Sequence, residues 1–401
     1  VATPAPPPAE GAPPLAGVRV LDLTRYLAGP FATMLLADYG ADVVKIESRR
    51  GREFRLPGMD RDTYFFLSSN RGKRSMTLDI KTAEGRELLA RLLPYFDVLI
   101  ENFRPTVMEQ LGLGPQKLVE RFPRLIYCGV SGFGADGPYR DRPGFDQIAQ
   151  GMSGFMSLTG TVESGPTRAG IAIADLLAGI FAAQGIQLAL LARARTGRGQ
   201  IVETSLLEAM VGVLSWGAGM YFETGQAPGP AGHHHPLSSP YGRFRARDGY
   251  LNIAASNDAM WTKLARALAR DEMLSDARFK DALERLQHRD ALTAEIESVL
   301  STQNVAHWVE RLNAAGVPCG PVLDLQQVFS DPQVLARDMF VQLAHPEVDT
   351  FKTTGLPVKL SRTPGRITRR PPLLGEHTDT VLRECGVADD EIARLRERGV
   401  I

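Results

Sequence analysis

Apolar and polar positions alternate in blocks through the first half of the chain. Residues 18–23 (VRVLDL) predict a strand, and helical spacing runs from Pro30 to Tyr39. ADVVKIE (41–47), SMTLDI (75–80), FDVLIENF (96–103) and LIYCGVSGF (125–133) read as further strands, with a helix near 83–94. Strands alternating with helices imply an α/β fold, a mostly parallel sheet covered on both faces. In such sheets ligands sit beyond the carboxyl ends of the strands. The segments leaving those ends are 24–26, 47–50, 102–104 and 131–133, and three of the four carry arginine, which suits a phosphate-bearing ligand. After residue 210 the character changes. A long loop rich in Pro, Gly and His (224–240) precedes a smaller α+β region. That region has a strand at 250–255, helices near 257–270, 289–300 and 304–315, and GPVLDL near 320–325.

Asp175 is the only charged residue between Ala169 and Ala192. The apolar residues after it fall at helical spacing, which places it at or just before the first turn of a mostly buried helix. A carboxylate there is either an N-cap or a nucleophile held where water is scarce.

Composition narrows the class. The 401 residues are too many for one ordinary core, and 46 basic residues balance 46 acidic ones, so no global field favours nucleic acid or membrane. Three widely spaced cysteines, Cys128, Cys319 and Cys385, fit free thiols in a reducing compartment. The proline-rich start, residues 1–15, reads as a disordered tail rather than a signal peptide. The apolar run after Asp175 reads as too short and too interrupted to span a bilayer, so a cytoplasmic location is expected.

Several motifs compete for attention. Gly132–Gly137 matches G-x-G-x-x-G after a strand, but prolines at 138 and 143 prevent the helix that this motif needs, so the match is read as accidental. No P-loop, G-x-S-x-G or H-E-x-x-H occurs. His233, His234 and His235 are adjacent and diverge, so no metal is expected, although His235 can line a pocket. Cys319 is expected to pack rather than react. Arg71, Lys73 and Arg74 form either a solvated turn or, together with Arg49, Arg50 and Arg104, a phosphate contact.

Taken in order, LDLTRYLAGPFATMLLADYGADVVKIE (21–47), NRGKRSMTLDIK (70–81), DVLIENFRP (97–105), GIAIADLLAG (170–179), TGRGQ (196–200), GVPCGPV (316–322) and PPLLGEHT (371–378) resemble the class III coenzyme A transferases. That family includes formyl-CoA and carnitine CoA transferases and the α-methylacyl-CoA racemases. The resemblance implies a Rossmann-like large domain (16–210, completed by 330–401), a small domain (225–325) and an interlocked ring-like homodimer. It implies that Asp175 is the catalytic aspartate. CoA, a substrate rather than a resident cofactor, would lie against Tyr26, Leu27, Ala28, Arg49, Arg50, Asn70, Gly72, Lys73, Asn102, Phe103, Arg104 and Phe145. His235, Ser238 and Ser239 would belong to a loop closing over the active site of the partner subunit.

The implied chemistry passes through an aspartyl–acyl anhydride and an aspartyl-CoA thioester, which splits one difficult exchange into easier steps. Two departures bear on the substrate. The closing loop reads GHHHPLSSP where formyl-CoA transferases have a run of glycines, which weakens oxalate as acceptor. Racemases carry a histidine in a G-H-D segment, which here is Gly144-Phe145-Asp146, and phenylalanine cannot move a proton. The leading expectation is a transferase moving CoA from succinyl-CoA to a dicarboxylic acid. A 2-methylacyl-CoA racemase and a non-catalytic CoA-ester binding subunit are the alternatives.

Overall fold

The computed structural model describes residues 11–49 and 63–401. The chain forms two compact units: one runs up to Phe155 and takes in Ala169–Ala218 and Gln333–Ile401, and the other comprises Met156–Arg168 and Gly219–Pro332.

The first unit is built on six strands, β1 Arg19–Asp22, β2 Asp42–Glu47, β3 Arg74–Thr77, β4 Val98–Glu101, β5 Ile126–Ser131 and β6 Ile201–Ser205. Their order is β3-β2-β1-β4-β5-β6 and every pairing is parallel. Helices cover both faces, so the strands read as continuous apolar runs. Successive side chains point to opposite faces: Leu21, Val44, Met76 and Leu99 pack with Leu88, Leu89, Leu382 and Leu395 on one side. Val20, Val43, Val98 and Ile126 pack on the other side with Ala32, Leu36, Ala178, Ala182 and Ile186. The C-terminal helices Thr378–Glu384 and Asp389–Glu397 therefore cover the first face, adding to a sheet laid down by the N-terminal half.

Strand β6 escapes the sequence pattern because its residues, IVETS, are only partly buried and mixed in polarity. The expected strand at 75–80 ends at Thr77, and the expected helix from Pro30 begins two residues earlier, at Ala28. The helix Ile173–Thr196 has the length and apolar character to cross a bilayer, contrary to the sequence expectation. Its buried residues are mostly alanines packed beside the Ala28–Asp38 helix in the same core, as in the core helix of a folded domain. It is not buried all round, since Ile180, Leu188 and Leu191 are exposed.

The second unit holds a three-stranded antiparallel sheet, β7 Tyr241–Arg245, β8 Tyr250–Ala254 and β9 Cys319–Pro321. Its core gathers Phe244, Leu251, Ile253, Trp261, Leu264, Ile296 and Trp308, and Cys319 packs against this cluster. The last pair, β10 Phe340–His345 and β11 Asp349–Thr354, is an antiparallel hairpin of the first unit.

Candidate active site

The strand order reverses between β1 and β4, which lie side by side although two strands separate them in sequence. Loops leaving the carboxyl ends at such a switch point diverge and leave a crevice. Here those loops are Thr24–Leu27 and Asn102–Arg104, and the Asn102 side chain ties them together. Its Oδ1 accepts the Arg25 N–H at 2.7 Å and its Nδ2 donates to the Arg25 carbonyl at 2.6 Å. The Arg25 guanidinium lies over the Phe103 ring at 5.3 Å. Tyr26 holds a left-handed backbone, φ 64°, a conformation that costs a side-chain-bearing residue about 1–2 kcal/mol. That turn presents the half-exposed Tyr26 ring edge-on to Phe145, with ring centroids 5.8 Å apart.

Phe145 leads into Asp146, the first residue of the helix Asp146–Met152. Asp146 Oδ1 accepts the Ala174 N–H at 2.9 Å, while its Oδ2 accepts from Gln150 Nε2 at 2.7 Å. The fully buried Gln150 in turn accepts the Ala169 N–H at 2.9 Å. Asp175 follows Ala174 as the third residue of the helix Ile173–Thr196. It is therefore not the N-cap: Ala172 holds that position without a side-chain cap, and Asp146 reaches in from another helix. Burial, and then the negative charge of Asp146, push the Asp175 carboxyl up to about 7. A carboxylate of that basicity is a better nucleophile than an ordinary aspartate and is still substantially ionised at neutral pH.

One turn beyond Asp175, Gly179 lets the Ala28–Asp38 helix come close. A Cβ at Gly179 would lie 2.7 Å from the Ala28 carbonyl oxygen and 3.1 Å from Phe31. The structure thus brings Tyr26, Leu27, Ala28, Asn102, Phe103, Phe145 and Asp175 to one end of the sheet.

Arg49 and Arg104 also follow carboxyl ends of the sheet, those of β2 and β4. Arg50 falls outside the described residues. Arg49 is exposed beyond β2, donates to the Arg396 carbonyl at 3.3 Å, and lines a polar cavity of about 260 Å³ with Thr77, Gly375 and Thr378. Arg104 is exposed at the start of the helix Pro105–Gln110. Asn70, Gly72 and Lys73 precede β3 rather than leave a carboxyl end, but the buried Lys73 side chain reaches Asp22, Asn70 and the Pro30 carbonyl. Neither reading of the basic cluster survives as written, since Arg71, Lys73 and Arg74 are 2%, 1% and 8% exposed. Arg71 pairs with Asp38, Lys73 with Asp22, and Arg74 with Asp42 and Glu384, so their charges are matched inside. The segment leaving β3 at the ligand end is Leu78–Lys81, with Lys81 exposed. Strand direction alone would have singled it out.

In the second unit, His235 stacks on Tyr241 with centroids 4.8 Å apart and its Nδ1 accepts the Leu237 N–H at 3.2 Å. Arg289 donates to the carbonyls of His235 and Pro236 at 3.1 and 3.3 Å, and Arg285 to that of Ser239 at 3.2 Å. Ser238 is partly exposed, but Ser239 is buried. The second half of the 224–240 loop is thus firmly anchored. Sequence reasoning missed Asp146 and Gln150: the G-F-D segment was read for its phenylalanine, and the aspartate beside it carried no separate signal.

Comparison with known proteins places the chain in a family. The description CoA-transferase family III matches residues 15–378. A succinate–glutarate CoA-transferase of Agrobacterium fabrum is 38% identical, covering 93% of this chain and 96% of that one. A mouse (Mus musculus) succinyl-CoA:glutarate CoA-transferase is 36% identical, covering 97% and 90%. The crystal structure of a CaiB/BaiF family protein from Brucella suis superposes with a TM-score of 0.84 at 38% identity, covering 93% of this chain and 100% of that one. With the parallel sheet, the switch-point turns and the isolated aspartate in place, the chain belongs to CoA-transferase family III and is an enzyme whose substrates are CoA thioesters.

Proposed function

We propose that this enzyme moves CoA from succinyl-CoA to a dicarboxylic acid by covalent catalysis on Asp175. The observation that carries the reading is a carboxylate pushed up to about 7 at a helix start, beside the switch-point crevice. An Asp175 oxygen attacks the thioester carbonyl, the C–S bond breaks, and the CoA thiolate leaves a mixed anhydride. The thiolate then attacks the aspartyl carbonyl, releasing succinate and forming an aspartyl-CoA thioester. The acceptor carboxylate attacks that thioester in turn, and the expelled thiolate takes the acyl group from the second anhydride. No proton moves, which fits a site where Phe145 stands in place of an acid/base histidine.

The CoA ester is assigned to the Tyr26–Ala28 turn and Asn102–Arg104; the loop bearing His235 and Ser238 is assigned to the active site of the partner subunit, facing the second carboxylate of the acceptor there. The dicarboxylate class is supported by the relatives named for succinate and glutarate. A homodimer is supported by the apolar residues that one chain leaves exposed on the 173–196 helix, Ile180, Leu188 and Leu191. A cytoplasmic location rests on composition.

The test is incubation of the purified protein with succinyl-CoA and a panel of C3–C6 mono- and dicarboxylic acids, with new CoA esters read by mass. New dicarboxyl-CoA esters and a CoA adduct on the Asp175 peptide are expected. Deuterium uptake at the α-carbon of a 2-methylacyl-CoA without CoA transfer would replace this reading with the racemase.

A further inference from the structure

Beneath the Tyr26 turn lies a buried charge cluster to which the chemistry above assigns no part. Asp22, Thr24 and Thr33 are 0% exposed, and Lys45 and Lys73 are each 1% exposed. Asp22 Oδ1 accepts the Thr24 N–H at 2.8 Å, while its Oδ2 accepts from Thr33 Oγ1 at 2.6 Å and from Lys73 Nζ at 3.1 Å. The Lys73 ammonium uses its two remaining donors on the Pro30 carbonyl at 2.9 Å and Asn70 Oδ1 at 2.8 Å. Lys45 Nζ donates to the Thr24 carbonyl at 2.7 Å. One ammonium therefore holds the carbonyl where the turn begins, and the other holds the carbonyl where it ends. Between those anchors lie only Arg25–Gly29, including the left-handed Tyr26. The turn is tight as well: a Cβ on Gly29 would lie 2.4 Å from Thr24.

Burying two ammonium groups is expensive, and apolar residues of similar volume often stabilise a fold as well or better. What apolar residues cannot do is donate hydrogen bonds to the two carbonyls that set a strained turn. Strain of this kind persists only where the surroundings over-determine it. We propose that Lys45 and Lys73 are positioning residues that lock the Thr24–Pro30 turn in the conformation that receives the CoA ester. This rests on the assignment of CoA to the Tyr26–Ala28 turn, and it goes beyond that assignment by naming what sets the turn.

Lys73 titrates in a reachable range, because burial lowers it to about 8 against the opposing charge of Asp22. The groups facing it are Asp22 on β1, Lys45 and Glu47 on β2, and Asp38, which is paired to Arg71. Loss of the Lys73 proton removes its attraction to Asp22 and leaves two donors for three acceptors. The turn should therefore loosen as pH rises through about 8.

The experiment compares steady-state kinetics of the full-length wild type with Lys45→Met, with the double variant Asp22→Asn/Lys73→Met, and with Tyr26→Ala. The double variant removes the Lys73 ammonium together with its partner Asp22, so that no carboxylate is orphaned by the loss of Lys73. The proposal expects KM for succinyl-CoA to rise about tenfold or more in all three. It expects KM for the acceptor acid, and kcat at saturating CoA ester, to stay within about threefold. Wild-type KM for succinyl-CoA should also climb above about pH 8, a rise that the double variant lacks. A purely structural role would lower the melting temperature without this split. If Tyr26→Ala raises KM and folded lysine variants do not, the positioning role is overturned and the CoA assignment stands. If Tyr26→Ala leaves KM unchanged, the CoA assignment and the inference built on it both fall.

Discussion

Asp146 accepts a hydrogen bond from the N–H of Ala174, the residue immediately before Asp175, so one carboxylate positions the helix turn that carries the other. Their roles are unequal for a physical reason. Asp146 accepts from a backbone N–H and from Gln150. Asp175 faces burial and the charge of Asp146. Two neighbouring carboxylates in different surroundings can be a fixture and a reagent, the roles proposed for Asp146 and Asp175.

Removing the reagent gives the first prediction. Asp175→Ala is expected to lose about 10³-fold or more in turnover, while calorimetric binding of CoA changes little. A variant retaining a tenth of the wild-type rate would exclude covalent catalysis on this residue.

The second prediction follows from ionisation. With the carboxylate as the proposed attacking species, kcat/KM for succinyl-CoA should rise with pH through about 7, before the climbing KM lowers it above about pH 8. Asp146→Asn removes the like charge while keeping an acceptor for Ala174, so the rise should move to lower pH. Stability runs the other way. The folded carboxyl titrates above its ordinary 3.8, so its contribution is present below that value and is lost as pH rises through about 7. Asp175→Asn should therefore melt higher than wild type at pH 8, and this advantage should vanish at pH 4.

Gly179 gives the third prediction. Its alanine variant would press a methyl to within 2.7 Å of the Ala28 carbonyl, in a contact between backbones with no flexible side chain to yield. Destabilisation of about 1–3 kcal/mol in urea is expected. Because the displaced helix begins at Ala28, KM for the CoA ester should rise too. Wild-type stability in Gly179→Ala would mean that the two helices part without cost.

The fourth prediction concerns the clamp between the two loops. Asn102→Ala deletes both hydrogen bonds to Arg25. At about 1 kcal/mol each they amount to roughly a tenfold or greater rise in KM for succinyl-CoA. Circular dichroism should be unchanged, since the clamp lies outside the strands. An unaltered KM would detach this loop from the CoA site.

By itself the sequence determined five of the six strands of the parallel sheet and the helices after β1 and β3, because strands buried on both faces must be continuously apolar and helices must repeat every 3.6 residues. It also singled out Asp175, because a lone charge in an apolar stretch is visible without coordinates. Arg71, Lys73 and Arg74 read as surface charge in one dimension, because their partners Asp38, Asp22, Asp42 and Glu384 are far away in sequence. Whether a lysine meets solvent or a carboxylate depends on which strands become neighbours. β1 lies between β2 and β4, a consequence of the whole sheet order. The same holds for Asp146 and Ala174, joined across 28 residues, and for Asn102 and Arg25, joined across 77. Local propensity wrote the elements, but only tertiary packing decided which polar groups became the site and which became its supports.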